Sequence, residues 1–236
     1  MKSQIYNLFL FASLFLCFSE VKSQPKLSLD FGMGFYQPTL EGFDENVAFP
    51  SKGVFNRNLL INYGIYYEFF SNARIGYNNL TSYETGQVTF VNFVGAFNRT
   101  IDYRIFALET FFRWKPRIEL NFTLSPVWGR GVIQMDTEPD ESVGDWNELL
   151  NSFGDNSPLS EIGSTNAMVK NWFGYAGIIG IRYYFTSRLA IDFKSGFLNN
   201  YYKEDNWILN NTKVKGPKLK IDELPILSLK LIYGIR

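Results

Sequence analysis

The 236-residue chain contains no histidine, and its single cysteine is Cys17. Without histidine there is no Ser-His-Asp or Cys-His triad, no HExxH zinc motif and no imidazole general base. One cysteine cannot close an internal disulfide, which excludes a disulfide-stapled scaffold. An excess of one charge sign is missing as well, since 23 Lys and Arg balance 23 Asp and Glu. That leaves no basic footprint of the kind nucleic-acid binders carry. Beyond the amino-terminal segment, no apolar run reaches the ~18–20 residues that a membrane-crossing helix needs. Aromatic side chains are plentiful, with 23 Phe, 14 Tyr and 5 Trp, and the length suits one domain with a sizeable core.

Lys2 opens a short basic stretch, and Ile5 to Phe18 (IYNLFLFASLFLCF) forms an apolar one too short for a comfortable span. Val21-Lys22-Ser23 then places modest side chains before Gln24. This order is that of a cleaved secretory signal. The expected organisation is a signal peptide at 1–23 and one domain at 24–236. A retained anchor is the competing reading. A lipoprotein signal at Cys17 fits poorly, because Leu16 stands where a small residue belongs. Cleavage after Ser23 removes Cys17 and leaves a chain free of thiols for an oxidising compartment.

The remaining chain alternates with period two, which sends every second side chain to one face of a sheet. The apolar sets are Leu27 to Phe35, Leu59 to Phe69, Ile118 to Trp128, Phe173 to Phe185, Leu189 to Phe197 and Leu227 to Ile235. Residues 73–83 alternate less cleanly, with Ala73, Ile75, Tyr77 and Tyr83 on one side. Residues 101–113 begin with Ile101, Tyr103 and Ile105 and then shift phase to Phe106, Leu108 and Phe112. Such a change predicts a β-bulge. Eight strands result. Tight turns at Ser71-Asn72, Lys115-Pro116 and Thr186-Ser187 alternate with long connections at 38–57, 84–100, 135–170 and 198–224. Residues 88–97 read as a protruding extension of the second long connection. Counting further spanning strands makes ten possible.

Alternation of this kind fits a soluble sandwich or barrel with a dry core, or a membrane barrel with its apolar face in lipid. The polar faces here are rich in Gly, Asn, Ser and Thr, with scattered charges of both signs: Asp30, Glu68, Arg74, Glu119, Arg182, Asp192, Lys194 and Lys230. A narrow lumen needs small residues and paired charges of this sort. Aromatics gather at strand ends, as in Phe69-Phe70, Phe111-Phe112-Trp114 and Tyr183-Tyr184-Phe185, where interfacial girdles belong. Lipid offers no partner to an open sheet edge, so the sheet must close. The expected fold is an all-β, eight-stranded antiparallel up-and-down transmembrane β-barrel.

Three segments carry a resemblance. These are Tyr66-Tyr67-Glu68-Phe69-Phe70-Ser71-Asn72 with Arg74-Ile75-Gly76, Gly180 to Phe185 running through Thr186-Ser187 into Leu189-Ala190-Ile191, and Leu229 to Arg236. The chain resembles the small outer-membrane β-barrels of Gram-negative bacteria, the OmpX/OmpW-like and PorT-like group. That likeness implies export to the outer membrane, with lipid and the barrel assembly machinery as partners. It brings no catalytic residues, because the enzymatic barrels of neighbouring families need a histidine.

Between Arg130 and Lys170 lie Asp136, Glu138, Asp140, Glu141, Asp145, Glu148, Asp155 and Glu161, without a Lys or Arg. Clustered carboxylates can hold a hard cation or form an acidic recognition surface, but no EF-hand spacing is present and a solvated loop is the simpler reading. Asp145 and Glu148 suit the N-cap and N3 of a short helix. The last long connection, 198–224, carries Lys203, Lys213, Lys215, Lys218 and Lys220, so the two loops are expected to dock. The functional expectation is a non-enzymatic barrel with no metal or cofactor, acting structurally or through its long loops on a partner the sequence does not identify. The alternatives are a narrow channel for small solutes or ions, and a soluble periplasmic barrel binding a hydrophobic ligand.

Overall fold

A computed structural model describes residues 26–36, 39–41, 47–48, 58–90, 93–136, 142–155, 167–221 and 226–235. The strands are β1 (Leu27–Tyr36), β2 (Thr39–Glu41), β3 (Val47–Ala48), β4 (Asn58–Phe70), β5 (Ala73–Phe90), β6 (Phe93–Lys115) and β7 (Ile118–Asp136). A helix, α1 (Ser142–Ser152), precedes β8 (Ala167–Tyr184), β9 (Leu189–Tyr202), β10 (Trp207–Leu209), β11 (Thr212–Val214), β12 (Lys218–Ile221) and β13 (Ile226–Ile235). Eight of the strands form a ring. Each of β4 to β8 pairs antiparallel with the next, β9 pairs with β13, and β1 closes the cylinder between β13 and β4. Closure leaves no backbone edge along the ring, as lipid requires.

The three tight connections lie at one end, beside Lys26 and Gly234. Backbone bonds from Glu68 to Lys26, Phe111 to Asn72, Tyr184 to Arg117 and Gly234 to Arg188 tie that rim together. Thr186 stabilises its turn by accepting the amides of Arg188 and Leu189. In barrels of this type short turns face the periplasm and long loops the exterior. The outer end is taller on one side. β5 and β6 pair without a break from Ala73↔Thr110 to Phe90↔Phe93, so residues 88–90 and 93–97 extend the two strands beyond their neighbours as a protruding ladder.

The outer face carries Phe31, Ile65, Ile75, Leu108, Phe122, Ile179, Phe193 and Leu231, all exposed. A row of this extent around a whole cylinder is a lipid-facing band, since soluble proteins do not leave such patches in water. The soluble ligand-binding barrel is thereby overturned: its apolar side chains would have to point inward. Phe122, 49% exposed at mid-height, provides a test. Phe122→Arg is expected to destabilise the folded barrel in bilayers by ~2–4 kcal/mol, whereas the same change at exposed Thr212 of β11 should have little effect. Urea titration of refolded protein in vesicles reads both.

The expected bulge in 101–113 is absent. Burial alternates strictly from Ile101 to Phe112, and register with β5 is continuous. Ile101, Tyr103 and Ile105 are buried inside the barrel. The phase of the apolar residues flips because the inner face changes character with height: polar near the turns, apolar near the loops. The strand does not slip at that point; its register against β7 shifts only at the turn end, between Arg113 and Lys115.

The lumen and its cap as candidate functional site

The lower lumen is a closed charge network. Arg74, on β5, bonds Glu109 of β6 at 2.9 Å and also Glu119 of β7. Arg182 of β8 donates to Asp192 of β9 at 2.7 Å and lies 3.4 Å from Glu109 and 3.6 Å from Glu119. Lys194 bonds Glu109 and lies 3.8 Å from Asp192. Three cations thus meet three anions, all almost fully buried. Neutral groups fill the remaining valences. Thr123 donates to Glu109 at 3.1 Å, Asn121 to Asp192 at 3.1 Å and Tyr184 to Glu119 at 3.1 Å, and the Arg74 guanidinium lies 3.9 Å over Phe111. A second pair, Lys230–Asp30 at 2.7 Å, is joined to Asn78 at 3.2 Å. Buried charges persist in such numbers only when paired and hydrogen-bonded.

Seven of the eight sequence-identified lumen charges, Asp30, Arg74, Glu119, Arg182, Asp192, Lys194 and Lys230, lie in these two groups. Glu68 sits apart at the rim, 3.5 Å from half-exposed Arg113. The sequence reading missed Glu109, which contacts all three cations of the cluster. The parity of Leu108 and Phe112 places it inward, and that was the available signal. Arg99, fully buried higher up and bonded to Glu84, was also missed.

Above the charges the lumen turns apolar, with Leu60, Leu80, Ile105, Val127, Ile133 and Met168 all buried. Across it runs a chain of rings. Tyr36–Tyr103 centroids are 5.9 Å apart, Tyr103–Trp172 6.3 Å, Trp172–Tyr202 4.5 Å and Tyr202–Trp207 5.6 Å. Trp172 Nε1 donates to Asn200 at 2.9 Å, and Trp207 Nε1 to the Pro217 carbonyl at 3.2 Å. Gly129 makes room for the indole of Trp172, which would lie 2.2 Å from any Cβ there.

The helix covers this layer. Trp146, Leu149, Leu150 and Phe153 fall at i, i+3, i+4 and i+7, one face of a helix, and all four are buried. The helix starts at Ser142, so Asp145 lies in its first turn and not at the N-cap expected from sequence. Its end is a Schellman motif: Gly154, at φ 73°, donates to Asn151, and Asp155 donates to Leu150. Asp155 then accepts the Lys215 amide at 2.8 Å, and the Lys215 ammonium reaches the Gly154 carbonyl at 3.5 Å. The acidic and basic loops therefore meet, through contacts between side chains and backbone groups. The latter loop also forms the β10–β11 hairpin, turned by Asn210 and Asn211 at φ 46° and 62°, values suited to a tight two-residue turn. Lys218 lies 3.3 Å from Glu204, whose carboxyl is held below its ordinary range chiefly by its own backbone amide, with Lys218 adding to the effect. Lys170, on β8, donates to the Asp205 carbonyl of the same loop.

Glu138, Asp140 and Glu141 lie outside the described residues, as does the side chain of Asp136. Among the described residues no three acidic side chains gather into a cation-sized group. Two small cavities flank the charge cluster, each of about 20 Å³ and so near the size of one water. One opens at the turn end beside Glu68 and Arg188, the other lies above Lys194 between Asn62 and Ile105, and they share no lining residue.

A closed eight-stranded cylinder with an apolar outer band, a charged lower lumen and tight turns at one end is the fold of the small outer-membrane β-barrels. No protein-family model matches the chain, and no curated protein matches it in sequence. Among solved structures it is similar to the outer membrane protein OprG from Pseudomonas aeruginosa, at 8% identity and a TM-score of 0.51, covering 92% of this chain and 99% of that one. It is also similar to Ail, the attachment invasion locus protein of Yersinia pestis, at 12% identity and a TM-score of 0.42, covering 89% and 98%. For Neisserial surface protein A the values are 9%, 0.45, 89% and 97%. At these identities the likeness is one of fold.

Proposed function

We propose that this protein is exported by a signal at residues 1–23 and serves in the outer membrane as a non-enzymatic barrel with a closed lumen. Its working surface is the packed cap that the long loops present outside, a structural and recognition role. One observation carries the reading: the lumen is blocked twice, by the six-charge cluster below and by the Trp146 helix above. An ion crossing the lower layer has to separate buried pairs without water to replace them, at several kcal/mol for each ion left uncompensated. The ring chain and helix add an apolar barrier above. The absence of histidine removes the common hydrolytic machinery.

Planar-bilayer recording of the purified barrel tests this. The expected trace is flat, with discrete steps appearing only when both Glu109 and Trp146 are replaced by alanine. Discrete openings from the unaltered protein would restore the channel reading. Recovery in the soluble periplasmic fraction would remove the location.

A further inference from the structure

We infer that the outer wall of β5–β7 holds a phosphate-bearing lipid of the outer leaflet, with its phosphate between Arg104 and Arg130 and an acyl chain in the groove below. This rests on the barrel standing in the outer membrane, as proposed above.

The first support is height. Counting up from the turn, Arg104 stands about 11 residues above Lys115 along β6, and Arg130 about 12 above Ile118 along β7. At ~3.4 Å per residue and ~45° of tilt these are ~26–29 Å above the turn, the upper edge of a ~25 Å apolar band. The ring pair Trp128–Phe173, centroids 4.5 Å apart, marks the same level, as interfacial aromatics do.

The second is charge. Both arginines point outward and are exposed, and neither has an ion-pair partner among the described residues. Arg104 pairs with Trp128, and Asp102 with Arg130, so the two guanidinium stems are diagonal neighbours on adjacent strands, ~7–8 Å apart at the backbone. One phosphate fits between two such forks. Asp102 is the one acid among them, and its Oδ1 accepts the Thr81 hydroxyl at 2.7 Å. The patch keeps a net positive charge.

The third is the groove. Ile65, Tyr67, Ile75, Tyr77, Phe106 and Leu108 line an open channel of about 480 Å³ on the lipid side of β4–β6. Gly76 and Ala107 thin the wall beneath it. Phe106, at its upper end, is two positions below Arg104 on the same face of β6. A cationic head site continuous with an apolar trough matches a phosphorylated lipid and not a free anion.

The test uses the full barrel in detergent, shown folded by heat-modifiable migration, and native mass spectrometry as the readout. The probes are lipid A with its phosphates, the same lipid dephosphorylated, and inorganic phosphate. The unaltered protein is expected to retain only the phosphorylated lipid. Arg104→Ala with Arg130→Ala should weaken retention ~10-fold or more. Ile75→Trp, which fills the groove, should weaken it with both arginines in place. Equal retention by the double variant, or of the dephosphorylated lipid, would overturn the phosphate site. Unchanged retention by Ile75→Trp would overturn the chain site, and inorganic phosphate binding as tightly as lipid would overturn the lipid source. Membrane fractionation separates these failures from a failure of the location itself.

Discussion

Glu109→Gln should lower the stability of the folded barrel by about 3–5 kcal/mol, the largest effect expected of any conservative change in the lumen. The side chain is fully buried, and it contacts Arg74, Arg182 and Lys194 together. Neutralising it leaves three buried cations facing the two anions Glu119 and Asp192. The two flanking cavities have room for about one water each, too little to relieve the imbalance, and the strands that carry these groups are pinned by their ladders. The companion variant, Glu109→Gln with Lys194→Met, restores neutrality and should recover most of the loss, because removing both members of a buried pair costs far less than removing one. Denaturant unfolding of refolded protein measures the single variants, the double and their coupling. A coupling near zero would mean that the cluster is solvated and that the lower lumen is open.

Trp146→Ala is expected to cost about 3–5 kcal/mol, but locally. Trp146, Leu149 and Leu150 attach the helix by apolar contact, without any strand ladder, so loss of the indole should release the cap and leave the barrel below it folded. Proteolysis would then cut within residues 142–155 while heat-modifiable migration of the membrane portion is retained. The Asp155–Lys215 contact should be lost together with the helix, exposing the 203–217 loop to the same protease. Resistance of the variant to cleavage would show that the Schellman end and Asp155 hold the cap without the tryptophan.

Most of the ring was legible because a strand in a barrel has only two faces, and lipid demands apolar residues on one of them over its whole height. Leu29, Phe31 and Met33, or Leu120, Phe122 and Leu124, announce that face residue by residue. The inner face carries no comparable signal. Ile101, Tyr103 and Ile105 look the same as a lipid-facing set, and only their continuous pairing with β5 shows that they point inward. Glu109 was hidden for a related reason: it stands among aromatics in a strand whose phase read as broken. The helix start at Ser142 was also obscured, because a short helix depends on what it covers more than on its own propensity.

The sequence alone determined the number of ring strands, the turn end, the lipid-facing rows and seven of the buried lumen charges, since each follows from a local period or a local turn. The tertiary structure decided which of those charges meet, that Glu109 links them, that the upper lumen is apolar, and that the helix after β7 closes it. These depend on side chains far apart in the chain, such as Lys230 with Asp30 or Glu109 with Lys194, brought together only when the cylinder closes and its register sets their heights.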